Sequence, residues 1–200
     1  MEKRAAILEA AQELFTGQGF EHTSMDAVAA RAGVSKLTVY SHFGDKASLF
    51  REAVRARCHA LVPERLYRMH AGDSLRGALL RIARHHAELM SSSQSIGLWR
   101  AVASDCSGGS QQLAQMMWEE GPMRSRQLVQ NLLLEQVEAG TLKIDDIPRA
   151  ASQFLNLLKG DLHFRRLLGC IDASFPQFRS QMLADAEASV DMFLRAYMPH

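Results

Sequence analysis

The chain is poor in cysteine, in long apolar runs and in strand-like alternation, and each shortage narrows what it is. Its three cysteines, Cys58, Cys106 and Cys170, are odd in number and far apart, unlike a disulfide framework or a CxxC zinc site. No apolar stretch approaches the roughly 20 residues that a membrane helix needs. No apolar run follows the opening Met-Glu-Lys-Arg, so no secretory signal is read. A reducing cytoplasm is the expected compartment, with no membrane partner. Neither period-two alternation of useful length nor an internal repeat is present, which predicts an all-α fold. Catalytic signatures are missing as well: there is no GxSxG, no HExxH, no phosphate-cradling glycine loop and no kinase-like set. No enzyme activity and no cofactor are expected.

Charge is also scarce as a global feature. The formal net charge is +1 over 200 residues, so any contact with nucleic acid must come from a local patch. Acidic residues are absent from Ala27 to Gly44, while Arg31 and Lys36 lie within that stretch and Lys46 just beyond it. Eight histidines raise the question of a metal. His85 and His86 are adjacent, so a helix points them about 100° apart, unsuited to joint chelation. Each histidine is expected to be satisfied or exposed, and no metal site is read.

What is present is helical spacing nearly everywhere. Ile7, Leu8, Ala11, Leu14 and Phe15 define a first helix that should stop at Gly17 to Gly19, with Phe20 as an apolar plug. Thr23 and Ser24 precede a second helix through Met25, Val28 and Ala29, with Asp26 in its first turn. Gly33 stands where the chain leaves that helix and needs a positive φ. Ser35 then caps a third helix, Lys36 to Phe43, and Asp45 caps a fourth that runs towards Leu61 before Pro63.

Further helices are expected from Leu75 to Met90, through Ile96 to Cys106, from Leu113 to Gly121-Pro122, and from Met123 to Glu138. Ser107 to Ser110 reads as a loop. The two longest candidates are Arg149 to Leu168 and Phe175 to Met198.

Residues 31 to 46 carry the strongest signal. Two short helices separated by one tight turn, the second armed with hydrogen-bond donors, form a helix-turn-helix pattern whose second helix enters the major groove. Val39 and Phe43 share its buried face, and Val34 is also assigned to the core. Thr23, Ser35, Tyr40 and His42 are candidates for phosphate contacts. Lys36 and Lys46, near helix N-termini, join them. Base reading would fall to Lys36, Leu37, Thr38 and Ser41, because lysine pairs with guanine and the Leu and Thr methyls meet thymine methyl.

The same residues resemble the TetR family of bacterial one-component regulators. The matching positions are Ala10-Ala11, Leu14-Phe15, Gly19-Phe20, Thr23-Ser24-Met25, Ala32 to Lys36, Val39-Tyr40, His42-Phe43, Lys46 and Leu49-Phe50. Leu37 departs from the small residue common at its position, and Ser41 replaces a second aromatic. More weakly, residues 98 to 169 resemble the C-terminal domain of an AcrR-like subgroup, through Trp118 to Pro122, Phe154 to Asp161 and Arg166 to Gly169. The resemblance implies a DNA-binding head, 1–47, and a helical effector-binding and dimerisation domain, 48–200. It also implies a homodimer on palindromic operator DNA, most often a repressor. The alternative from another class is an all-helical enzyme or cofactor-binding protein with no DNA-binding role.

Soft and aromatic side chains on the middle helices suggest where an effector would sit. His86, Met90, Trp99, Val102, Cys106, Met116, Met117, Trp118, Phe154 and Leu158 are the candidate lining. Methionine adapts to varied apolar ligands, and the scarcity of charge among these positions predicts a small, largely apolar effector. Cys106 is expected to be a buried inert thiol, with redox sensing as the alternative. The dimer is assigned to the last two helices, through Leu155, Leu158, Leu162, Met182, Leu183, Val190, Phe193, Leu194 and Tyr197.

Overall fold

The computed structural model describes residues 2–106, 111–172, 174 and 177–199, except for the side chains of 101, 102, 104–106 and 111–113. Among the described residues there is no strand, and the fold is all-α. The chain divides into two compact units, one of residues 1–61 and 104–121 and one of residues 62–103 and 122–200. The first unit therefore extends beyond the boundary expected at residue 47 and takes in a later segment.

In the first unit α1 (Glu2–His22) packs on α2 (Met25–Ala32) and α4 (Lys46–Leu61), and α3 (Lys36–Phe43) packs on both α2 and α4. The regular path of α1 stops at Gly19 (φ 80°, ψ 174°), within the expected stretch, and a further helical turn follows to His22. That turn delivers Phe20 to the core, stacked on Phe15 and edge-on to Phe50 at 5.2 Å. Ile7, Val28, Val39 and Leu49 are fully buried around this aromatic group. Each helix start has the cap its sequence signalled. Ser24 accepts from the Ala27 amide at 3.0 Å, Ser35 from Thr38 at 3.1 Å and Asp45 from Ser48 at 2.7 Å. Capping of this kind is worth about 1 kcal/mol per helix.

α7 (Gln111–Trp118) packs on α4 in the same unit, and Met116 and Met117 are buried there. The expected interruption at Gly121-Pro122 is instead a π-helical turn, Glu119–Met123. It accommodates a proline that has no amide hydrogen to give.

The second unit is built on α5 (Leu75–Ser91) packed against α11 (Phe178–Tyr197), with α8 (Arg124–Glu138) on α9 (Ile147–Leu157) and α9 on α11. Ser74 caps α5 and Asp146 caps α9. Phe154, fully buried, meets Phe193 with ring centroids 5.0 Å apart. α6 (Ser93–Cys106) follows α5 after a break at Ser92, as the serine run predicts.

The long helix expected from Arg149 to Leu168 is two helices. α9 ends at Leu157, and α10 (Gly160–Leu168) starts afresh. Gly160 sits at φ +57°, a conformation glycine adopts without steric cost, so the break is built into the sequence at that residue. α11 begins at Phe178; Phe175, and the loop expected over Ser107 to Ser110, lie outside the described residues.

Candidate nucleic-acid interface and effector site

α3 is eight residues long and buries only Val39 and Phe43. Gly33 (φ 66°) closes α2 by donating to the Ala29 and Ala30 carbonyls, and Ser35 opens α3 two residues later. Val34, expected in the core, is half-buried in this turn. The rest of α3 faces outward. Leu37 is 78% exposed and Tyr40 41% exposed, and Lys36, Ser41 and His42 are exposed beside them. Two large side chains left in water on so short a helix gain nothing from the fold that carries them.

The hydroxyls are organised. Thr38, half-buried, shares a 2.8 Å hydrogen bond with the cap Ser35, and Ser41 donates to the Thr38 carbonyl at 2.9 Å. The cations are tied down in the free protein. Lys36 Nζ lies 2.9 Å from Asp26 and 6.0 Å from the centroid of Tyr40; the Asp26 hydrogen bond raises its pKa. Arg31 pairs with Glu13 at 2.6 Å.

Lys46, half-buried, donates to the Phe20 and Glu21 carbonyls at 2.9 and 3.3 Å and sits 4.3 Å from the Phe20 ring centroid. It thus locks the last turn of α1 to the start of α4 and is a strut first. Asp26, which the sequence reading treated as a helix-dipole residue, is the partner that holds Lys36.

Thr23 is withdrawn from the contact set. It is 1% exposed, and its hydroxyl donates to the Gly19 carbonyl at 2.7 Å. It closes the glycine break in α1 from inside, with no surface left for a phosphate. Thr23→Val keeps the volume and deletes that bond. It is expected to lower stability by about 1 to 2 kcal/mol in urea melts while leaving the salt dependence of any DNA binding unchanged.

The effector candidates fall into two groups. Met116 and Met117 are buried in the first unit and Trp118 is exposed there. His86, Met90, Trp99, Phe154 and Leu158 belong to the second unit. Phe154 and Leu158 are core there, and Met90 and Trp99 are half-buried. The side chains of Val102 and Cys106 lie outside the described residues.

His86 corrects an expectation, being neither satisfied nor exposed. It is buried, and among the described residues neither ring nitrogen has a partner. Burial, with help from the charges of Lys159, His85 and His163, holds its pKa down to about 3, so the ring is neutral.

Sequence reasoning missed what surrounds His86. Among the described residues Lys159 has one neutral partner, Asn156 Oδ1 at 3.2 Å, and burial beside Arg126 lowers its pKa. His163 Nδ1 donates to the Met90 carbonyl at 3.1 Å. Arg166, buried, donates to the Ser91 carbonyl and to Ser93 Oγ. Lys159 precedes α10, and His163 and Arg166 lie on it; the spacing 159, 163, 166 is visible in the sequence, but not the end of α5 that it meets. Among the described residues no group of three or more His, Cys, Asp or Glu side chains is placed to hold a metal ion, and no helix is long and apolar enough to cross a membrane.

A three-helix head with a short, outward-facing second element after a tight turn defines a helix-turn-helix protein. Residues 7–53 match the family model of the bacterial regulatory proteins of the tetR family, and residues 77–199 match the C-terminal domain of AefR-like transcriptional repressors. The chain belongs to the TetR family. That membership sets aside the all-helical enzyme as an alternative: this is a transcription regulator.

Among curated relatives, the transcriptional regulatory protein RaaS of Mycobacterium tuberculosis is 33% identical over 156 residues, 78% of this chain and 67% of its own. The transcriptional activator FasR of Mycolicibacterium smegmatis is 39% identical over 61 residues, 30% of this chain; the match spans only 28% of FasR. Among solved structures, the flavonoid-responsive regulator FrrA aligns with a TM-score of 0.80 at 34% identity, covering 99% of this chain and 98% of its own.

Proposed function

We propose that this chain is a homodimeric, effector-responsive repressor working in the cytoplasm. Its α3 reads one half of a palindromic operator, and a small, largely apolar compound bound in the second unit releases it. The observation that carries the DNA-binding reading is the exposed row of α3, where Leu37, Tyr40 and Ser41 stand beside Lys36. In this reading Lys36, Leu37, Thr38 and Ser41 meet base edges. Ser35, Tyr40 and His42 meet phosphate, and Lys46 supports them from behind. Residues 1–47 carry these contacts, and residues 48–200 carry effector binding and dimerisation.

The resting ion pair gives the interface a switchable cation. On DNA, Lys36 exchanges Asp26 for a base edge or phosphate, and the freed carboxylate then faces a polyanion. Asp26→Asn is therefore expected to tighten operator binding severalfold and to leave the preferred sequence unchanged. Fluorescence anisotropy with a labelled duplex measures this.

The dimer face must be drawn differently from the expected stripe. Leu155, Leu158, Leu162, Met182, Val190, Phe193 and Leu194 are all buried within the second unit. They are spent on the core and have no surface for a partner. The apolar residues that α11 exposes are Ala184, Ala188, Met192 and Ala196, at four-residue spacing, and α10 exposes Phe164 and Leu168 in the same rhythm. Phe164 is 57% and Leu168 63% exposed. Small residues on one helix and large ones on its neighbour suit close packing of two such pairs into a four-helix bundle about a two-fold axis.

The sign of regulation and the effector class draw support from the relatives: a repressor's C-terminal domain over 77–199 and a flavonoid-responsive regulator along the whole chain. Release requires the effector to favour one conformation over another by a few kcal/mol. The test is operator release by planar aromatic compounds, followed by anisotropy of a duplex taken from the promoter of the protein's own gene. Compounds that stabilise the protein against heat yet never release that duplex would overturn the effector-responsive part of the reading.

A further inference from the structure

His86 stands out in the second unit because a buried imidazole with two unpartnered nitrogens is of no use to the packing around it. Its surroundings run to one sign. α10 packs on the C-terminal end of α5: His163 bonds to the Met90 carbonyl and Arg166 to the Ser91 carbonyl. Lys159, the residue that precedes α10, lies close enough for its charge to act on His86. Arg126 acts on Lys159 from α8.

No carboxylate answers this cluster among the described residues. Asp161 lies 3.9 Å from Arg165 and is exposed, and Glu88 pairs with Arg179 at 3.2 Å. His163 and Arg166 are satisfied by the last carbonyls of α5. His86 and Lys159 are left with donor capacity and with one neutral partner between them.

We infer that His86 and Lys159 form the polar end of the effector site and receive an ionisable hydroxyl on a planar aromatic compound. This rests on the effector-responsive reading above and names its ligand class. An ionised phenolic oxygen accepts from the Lys159 ammonium and from the N–H of neutral His86. The scarcity of acceptors makes the site selective, because a methyl ether at the same oxygen is bulkier, stays uncharged and accepts only weakly. No proton or bond needs to be made or broken for recognition.

The experiment uses the full chain and three probes: a monohydroxyflavone, its methyl ether and unsubstituted flavone, titrated by tryptophan fluorescence and isothermal calorimetry without DNA. The hydroxyl compound is expected to bind at least about tenfold more tightly than its ether. The preference should grow as pH rises through the phenol's ionisation.

His86→Phe and Lys159→Met should each bring that ratio close to one. His86→Phe should at the same time raise the melting temperature of the free protein, because a buried orphan is replaced by an apolar ring. Equal affinity for the three probes, no binding of the hydroxyl compound, or a His86→Phe protein that melts lower and keeps the preference would each overturn the inference. Release of the promoter duplex is measured separately. The predicted preference without release leaves the inference standing and removes the effector-responsive reading; release by all three probes alike does the opposite.

Discussion

Phe164→Glu combined with Met192→Glu is expected to convert the protein to a monomer at micromolar concentration and to weaken operator binding by at least about a hundredfold. Both side chains are exposed within their own unit, Met192 by 49%, so the glutamates cost the isolated subunit little. In an isologous interface each substitution is met by its symmetry copy, which places like charges against each other in an apolar setting. Operator affinity falls because two half-sites held one helical turn, about 34 Å, apart bind cooperatively only when the reading helices are linked. Sedimentation velocity checks the first outcome and anisotropy the second. A variant that stays dimeric would move the interface away from this face. By contrast, Val190→Glu strikes the fully buried side of α11 and is expected to unfold the second unit.

Lys36→Ala combined with Tyr40→Ala is expected to abolish sequence-specific binding without unfolding the head, since both side chains are exposed. Lys36→Ala alone should cost roughly ten- to a hundredfold if it meets a guanine edge, and should flatten specificity at that base pair. Loss of a phosphate contact by Tyr40 weakens all sequences about equally. The Asp26 carboxylate makes the pair non-additive. Lys36→Ala leaves it unpaired against DNA, so Asp26→Asn should recover part of the affinity lost, and a double-mutant cycle across Asp26 and Lys36 reads that coupling directly.

The helix starts and turns of the head are legible in the sequence, because capping and turn chemistry are local. Ser24, Ser35 and Asp45 announce helix starts through side chains that bond three residues on, and Gly33 announces a helix end. What required coordinates was everything set by longer range. Thr23 looks like a free hydroxyl until the Gly19 break brings a carbonyl to it. Lys36 looks like an available cation until α2 and α3 cross and Asp26 meets it.

The same limit shows in the second unit. The apolar positions of α11 recur at helical spacing, yet Met182, Ala186, Val190, Phe193 and Leu194 are buried while Ala184, Ala188, Met192 and Ala196 are exposed. Periodicity identifies an apolar face but not the element that will cover it. Gly160 is visible as a residue but not as a break, because its positive φ is set by how α9 and α10 pack. His86 is legible as a candidate lining residue but not as an unpartnered one, since that is defined by what the fold fails to bring near it.

The central claim is that two copies of α3 read a palindrome. Selection of duplexes from a random pool by the full-length protein, sequenced after successive rounds, tests it most directly. The expected result is one enriched motif with two inverted half-sites whose centres lie one helical turn apart, lost entirely when the Lys36→Ala, Tyr40→Ala protein is used. Enrichment of no motif, with binding that depends on salt alone, or an identical motif selected by the double variant, would contradict it.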